Sequence, residues 1–128
     1  MPKNKILIVD DNISNIEYLL AILEDGNYEV AKAYSGEEAL TIASTFLPNI
    51  ILLDIMMPGI DGYEVCQRIR ETPFLKHVIV IMTSAKALVS EKLKGYRAGA
   101  DDYITKPFDD EELLAKLAVY QRLRHIEE

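Results

Sequence analysis

Cysteine is almost missing: Cys66 stands alone among 128 residues. That excludes an intramolecular disulfide, a paired-cysteine metal site and the cross-linked framework of a small secreted domain, and it fits the cytoplasm. Long apolar runs are missing too. The unbroken ones, such as Ile6 to Val9, hold only a few residues, against about 20 needed to cross a bilayer. The opening Met1-Pro2-Lys3-Asn4-Lys5 lacks the apolar segment of a signal peptide. Nor is there a surplus of positive charge: 14 Lys and Arg face 21 Asp and Glu, for a net charge of -7. Direct binding to nucleic acid or to an anionic membrane surface is therefore not expected. No internal repeat, low-complexity tract or interdomain linker interrupts the chain. A length of 128 residues with 49% hydrophobic content suits one domain with one ordinary core, expected to run over 1–128.

Short apolar runs alternate with stretches of helical period, the pattern of βα units on a parallel sheet. Five strands are expected, at Lys5 to Asp10, Tyr28 to Ala33, Ile50 to Asp54, Val78 to Met82 and Asp102 to Ile104. The first, third and fourth are almost wholly aliphatic, as befits central strands covered on both faces. The other two suit the edges. Between them, Ile13, Ile16, Leu20 and Leu23 make one apolar stripe on a first helix that ends by Gly26. Capping pairs Ser35 with Glu38, Asp61 with Glu64 and Asp109 with Glu112 open the second, third and fifth helices. The second packs through Ala39, Leu40, Ala43 and Phe46; at the start of the fifth, Phe108 can staple against Leu113. The fourth, Lys86 to Ala98, is weakest. It carries Val89, Leu93 and Tyr96 on one side, but Gly95 inside costs about 1 kcal/mol relative to Ala. The expected fold is α/β: a doubly wound, flavodoxin-like parallel sheet of five strands in the order 2-1-3-4-5, with five helices on its two faces. Val119, Leu123 and Ile126 prolong an apolar stripe on the last helix. Over about 119–128 that helix suits a linker, or pairing with a second copy.

In such a sheet ligands bind outside the carboxyl ends of the strands. The residues there are Asp10 and Asp11 after the first strand, Asp54 at the end of the third, Thr83 and Ser84 after the fourth, and Lys106-Pro107 after the fifth. Three carboxylates so close repel one another and call for a cation. Oxygen ligands without His or Cys favour a hard divalent ion, and few protein ligands with room for water favour magnesium. With a divalent ion and Lys106 at hand, a phosphoryl group can approach Asp54, which lies centrally and is the natural nucleophile.

The phrases Ile-Leu-Ile-Val-Asp-Asp, Leu-Leu-Asp-Ile-Met-Met-Pro-Gly-Ile-Asp-Gly, Ile-Met-Thr-Ser-Ala and Gly-Ala-Asp-Asp-Tyr-Ile-Thr-Lys-Pro-Phe together resemble the receiver domains of two-component response regulators, from about Lys5 to the fifth helix. The resemblance implies that Asp54 accepts a phosphoryl group from a sensor histidine kinase or phosphotransfer protein. It implies Mg2+ held by Asp10, Asp11, Asp54 and the backbone carbonyl of Met56, with Lys106 and Thr83 on the phosphoryl oxygens. The Lys106-Pro107 bond would be cis. Thr83 and Tyr103 would form the switch: the ring turns inward as Thr83 moves, remodelling the face of helix four, strand five and helix five. That face, or the helix five extension, would then serve a partner, an output domain or a homodimer. Met56 and Ala85 offer no polar side chain to orient an attacking water, so self-dephosphorylation is expected to be slow.

Plainer readings exist for each residue alone. Asp10 and Asp11 can cap a helix, Asp54 can be a turn residue before Pro58-Gly59, Thr83 a helix-entry residue, Lys106 a surface lysine and Tyr103 edge-strand packing. His77 and His125 lack a second ligand beside them and read as surface; Cys66 and Met57 read as packing. An aspartate-nucleophile phosphatase of the haloacid dehalogenase kind needs an acid where Met56 stands, so an enzyme beyond self-phosphorylation and self-dephosphorylation is not expected. A flavodoxin or nucleotide binder needs a Gly-rich or hydroxyl-rich loop where Asp11-Asn12-Ile13 stands. The rival that survives is a receiver-shaped interaction module working without phosphorylation.

Overall fold

The computed structural model describes residues 4–86 and 88–127, with backbone alone for 124–127. In chain order the elements are β1 (Asn4–Val9), α1 (Ile13–Leu23), β2 (Tyr28–Ala33), α2 (Gly36–Phe46), β3 (Ile50–Asp54), α3 (Gly62–Arg70), β4 (Ile79–Ser84), α4 (Val89–Ala98), β5 (Asp102–Thr105) and α5 (Asp110–Glu127). The strands pair in parallel in the order β2-β1-β3-β4-β5, as the alternation of runs requires. Among the described residues no helix is long and apolar enough to cross a membrane.

Strand periodicity sorts the core into two layers. Leu7, Val9, Ile51, Leu53, Val80 and Met82 meet Ala39, Ala43, Val65, Cys66 and Ile69 of α2 and α3. Ile6, Ile8, Ile50, Leu52 and Ile81 meet Ile16, Leu19 and Leu23 of α1 and Leu113 and Leu117 of α5. Because β1, β3 and β4 are apolar on both faces, they take the centre, and the half-buried β2 and short β5 take the edges.

Several boundaries and faces differ from the sequence reading. β1 ends at Val9, leaving Asp10 just beyond it. β4 begins at Ile79 and runs two residues past Met82, because Thr83 and Ser84 still pair with Ile104 and Thr105 of β5. On α1 the buried line is Ile16, Leu19 and Leu23. Ile13 is 60% exposed instead, one turn ahead of the sheet contact. α4 starts at Val89, three residues after Lys86, behind Leu88, which offers no side-chain cap. Its stripe is inverted: Val89, Leu93 and Tyr96 are exposed, and Gly95 and Ala98 are the buried residues. A Cβ on Gly95 would come within 2.9 Å of the Met82 Sδ, so the helix-weakening glycine is what lets α4 approach β4.

The caps follow the sequence. The side chains of Ser35, Asp61 and Asp109 accept the N–H groups of Glu38, Glu64 and Glu112 at 3.1, 2.9 and 3.0 Å. Phe108 and Leu113 are buried in one cluster. Val119 and Leu123 face outward rather than onto the sheet; the side chains of His125 and Ile126 lie outside the described residues.

Candidate functional site

The carboxyl ends of β1, β3, β4 and β5 open into a cavity of about 210 Å³ lined by Asp10, Asp11, Asn12, Asn15, Asp54, Met56, Ser84, Ala85, Lys86 and Lys106. Parallel register puts Asp54 beside Thr83 on the neighbouring strand. Asp10 and Asp54 are buried and Asp11 is exposed. Carboxylate oxygens of all three lie within 4.8 Å of one another, so the acids separated in sequence by 43 positions (54 minus 11) form one cluster. The Lys106 Nζ donates to Asp10 Oδ2 at 2.8 Å and to Asp54 Oδ1 at 3.0 Å. The Lys106-Pro107 bond just below it is cis.

The electrostatics are unbalanced. Burial pushes the Asp54 carboxyl up to about 6, helped by the charges of Asp10 and Asp11, and the bond from Lys106 only partly opposes this. Repulsion is thus the smaller cause and desolvation the larger, the reverse of the order sequence reasoning assumes. Burial alone would lower Lys106, but its bonds to Asp10 and Asp54 outweigh that and hold it above the ordinary lysine value. Three carboxylates against one ammonium leave two negative charges, which a divalent cation balances. An oxygen-only donor set, partly open through Asp11, fits a hard ion that keeps some of its water.

Asp10 also has local work. Its Oδ1 accepts the Asn12 N–H at 2.9 Å and its Oδ2 accepts the Asn15 Nδ2 at 3.2 Å. Asn12, not Asp10 or Asp11, caps α1, accepting the Asn15 N–H at 3.2 Å. The capping reading of the two acids therefore fails in its simple form.

Thr83 is buried at the end of β4 and does not line the cavity, whereas Ser84 does, its Oγ accepting the Lys86 N–H at 3.1 Å. Met56, 64% exposed, reaches the rim. The Tyr103 ring already lies inward: the residue is 6% exposed and its hydroxyl donates to the Lys86 carbonyl at 2.5 Å. Tyr103 thereby ties β5 to the segment between β4 and α4.

Two contributors escaped the sequence. Asn15 reaches the acid cluster from one turn inside α1, where its type suggests only a helix surface. Arg70, at the end of α3, donates to the carbonyls of Lys76, Val78 and Gly99 and to Asp101 Oδ2, while Asp101 also accepts the Val80 N–H at 2.9 Å. It staples the entries of β4 and β5, and its acceptors are mostly backbone, which no residue pattern reveals.

A model of the response regulator receiver domain matches residues 6–118. The chain is 40% identical over 120 residues to response regulator PleD of Caulobacter vibrioides, spanning 94% of this chain and 26% of that protein. It is 41% identical over 122 residues to the alkaline phosphatase synthesis transcriptional regulatory protein PhoP of Bacillus subtilis, spanning 95% and 50%. The chain thus spans half or less of these relatives. Among solved structures, the chemotaxis response regulator CheY4 of Vibrio cholerae superposes with a TM-score of 0.87 at 32% identity, covering 92% of this chain and 98% of that one.

Proposed function

Because the chain belongs to the response regulator receiver family of two-component signalling, we propose that it is a phosphorylation-dependent switch whose phosphoacceptor is Asp54. The observation that carries this reading is the clustering of Asp54 with Asp10 and Asp11, in which the Lys106 ammonium donates to both Asp54 and Asp10. With Asp54 titrating near 6, the carboxylate is mostly ionised at neutral pH and can act as a nucleophile. Its oxygen would attack the phosphorus of a phosphohistidine on a sensor kinase or phosphotransfer protein. The new O–P bond forms as the donor's N–P bond breaks, and the released imidazole takes up a proton. Asp10, Asp11, Asp54 and the carbonyl of Met56 would hold Mg2+, which neutralises charge on the incoming phosphoryl oxygens.

Lys106 would transfer one of its bonds from Asp54 to a phosphoryl oxygen, and the Thr83 hydroxyl would donate to another. Moving Thr83 shifts the end of β4 beside Tyr103. The link from Tyr103 to the Lys86 carbonyl then passes the change to α4, whose uncapped start and small buried contact make it easy to displace. The α4, β5 and α5 face, or the outward stripe of Val119 and Leu123, would present the altered surface to a partner, an output domain or a second copy. Neither nucleic acid nor a membrane is proposed as a direct partner, in keeping with the net charge of -7. Met56 and Ala85 bring no group that aims water at the phosphorus, so the phosphoryl group should be long-lived and the chain a signal carrier more than a catalyst.

Incubation with a small phosphodonor and Mg2+ should add one alkali- and hydroxylamine-labile phosphoryl group to the wild type and none to Asp54→Asn. Labelling at another residue would refute the assignment. No labelling at all, with partner binding intact, would favour the interaction module.

A further inference from the structure

The residues from Met56 to Ile60 form an arch between β3 and α3. Its base is fixed: the Gly62 N–H donates to the Ile55 carbonyl at 2.9 Å and the Ile55 N–H to the Thr83 carbonyl at 3.1 Å. A Cβ on Gly62 would come within 2.5 Å of the Asp54 carbonyl oxygen, so the two feet of the arch are pressed together. The crown is held differently. Glu37, in the first turn of α2, accepts the Ile60 N–H on its Oε1 at 3.2 Å. Among the described residues this is the hydrogen bond that ties the crown to another element. The carboxylate also lies against Gly59, where φ is +79° and a Cβ would meet Glu37 Oε1 at 2.8 Å. Glycine is thus favoured there both by its backbone angle and by the close approach of Glu37. The Glu37 carboxyl is held below the usual carboxylate range, first by its own backbone N–H and then by that of Ile60.

The arch matters because it carries Met56, which lines the acidic cavity. We infer that Glu37 is a positioning residue: from outside the cavity it holds the crown of the arch, and so sets how well the Met56 carbonyl meets the metal. It touches neither metal nor phosphoryl group. The inference rests on the magnesium reading of the Asp10, Asp11 and Asp54 cluster. Its structural competitor is simple: an acid in the first turn of a helix favours the helix dipole wherever it points.

The two variants Glu37→Gln and Glu37→Ala separate these. Gln keeps an oxygen for the Ile60 N–H and loses the charge; Ala loses both. Three measurements on the full chain are needed: thermal stability, amide exchange at Ile60 without metal, and Mg2+ affinity by calorimetry. Positioning predicts faster Ile60 exchange in Glu37→Ala and an Mg2+ Kd raised roughly threefold to tenfold, as for loss of one ordinary hydrogen bond. Glu37→Gln should stay within about twofold of the wild type in Kd, with a small fall in Tm at most. An unchanged Kd in Glu37→Ala, or equal weakening in both variants, would overturn the inference while leaving the metal site standing. A wild type that binds no Mg2+ would overturn both.

Discussion

Asp54, the proposed phosphoacceptor, is a stability liability in the folded chain, and replacing it by asparagine should make the metal-free protein more stable. Its carboxyl rises from 3.8 to about 6 on folding, because burial and the charges of Asp10 and Asp11 outweigh the bond from Lys106. At about 1.4 kcal/mol per unit, the ionised group costs the folded state roughly 3 kcal/mol at most. The side chain is only 5% exposed, so solvent screening removes little of this. Asparagine keeps an oxygen for Lys106 and the volume of the site, but its bond to the ammonium is weaker, so a net gain of about 1–3 kcal/mol is expected. For a chain of this size that is a rise in Tm of roughly 3–12 °C. The sign with pH follows from linkage. An acid whose folded pKa is raised binds its proton more tightly in the native state, so wild-type stability falls as pH climbs from near 3.8 to about 6 and levels off above. The advantage of Asp54→Asn should therefore fade toward pH 4. Thermal melts in chelator at pH 4 and pH 7.5 measure both, and added Mg2+ should raise the wild type far more than the variant. A variant less stable than wild type at pH 7.5 without metal would refute the reasoning.

Other outcomes follow from the same structure. Met56→Asn places a polar group at the rim of the cavity and should speed loss of phosphate from Asp54 roughly tenfold by helping to position water; unchanged decay of labelled protein would count against the slow-decay reading. Arg70→Lys cannot reproduce the fork that spans Gly99, Val78 and Asp101. It should cost about 1.5–3 kcal/mol in urea unfolding, and a loss below the error of the fit would show that the staple is idle. At Asp102, burial alone would raise the carboxyl, but Lys116, the Tyr103 N–H and Tyr120 lower it overall. The stability it contributes is present above the ordinary aspartate pKa and is lost as pH falls through its depressed folded value. Asp102→Ala should accordingly destabilise by about 1–3 kcal/mol near pH 7, a deficit that closes in strong acid; a deficit independent of pH would contradict this.

What the sequence discloses here depends on where a residue's partners lie. Asp10 and Asp54 stand at the carboxyl ends of apolar runs and Lys106 just after the short fifth strand, and a parallel sheet must bring such ends together, so their meeting was legible from spacing and type. The two-layered core was legible for the same reason. The face of α4 was not. Val89, Leu93 and Tyr96 have the period of a buried stripe, yet the side of α4 that contacts β4 is chosen by Gly95, the residue small enough to sit on Met82. Ile13 failed similarly: periodicity gives a helix its apolar side but not how far that side extends beyond the sheet. Arg70 and Glu37 act on backbone groups of loops, and backbone groups leave no trace in residue identity.

The central claim is that Asp54 phosphorylation is read out through Thr83, Tyr103 and α4. Titration of isotopically labelled wild type with beryllofluoride and Mg2+ tests it most directly, because the complex stands in for the phosphoryl group without decaying. The account predicts Mg2+-dependent shifts at Thr83, at Tyr103 and along Val89 to Ala98, all abolished in Asp54→Asn. Shifts confined to Asp10, Asp11 and Lys106, with α4 unmoved, would contradict it.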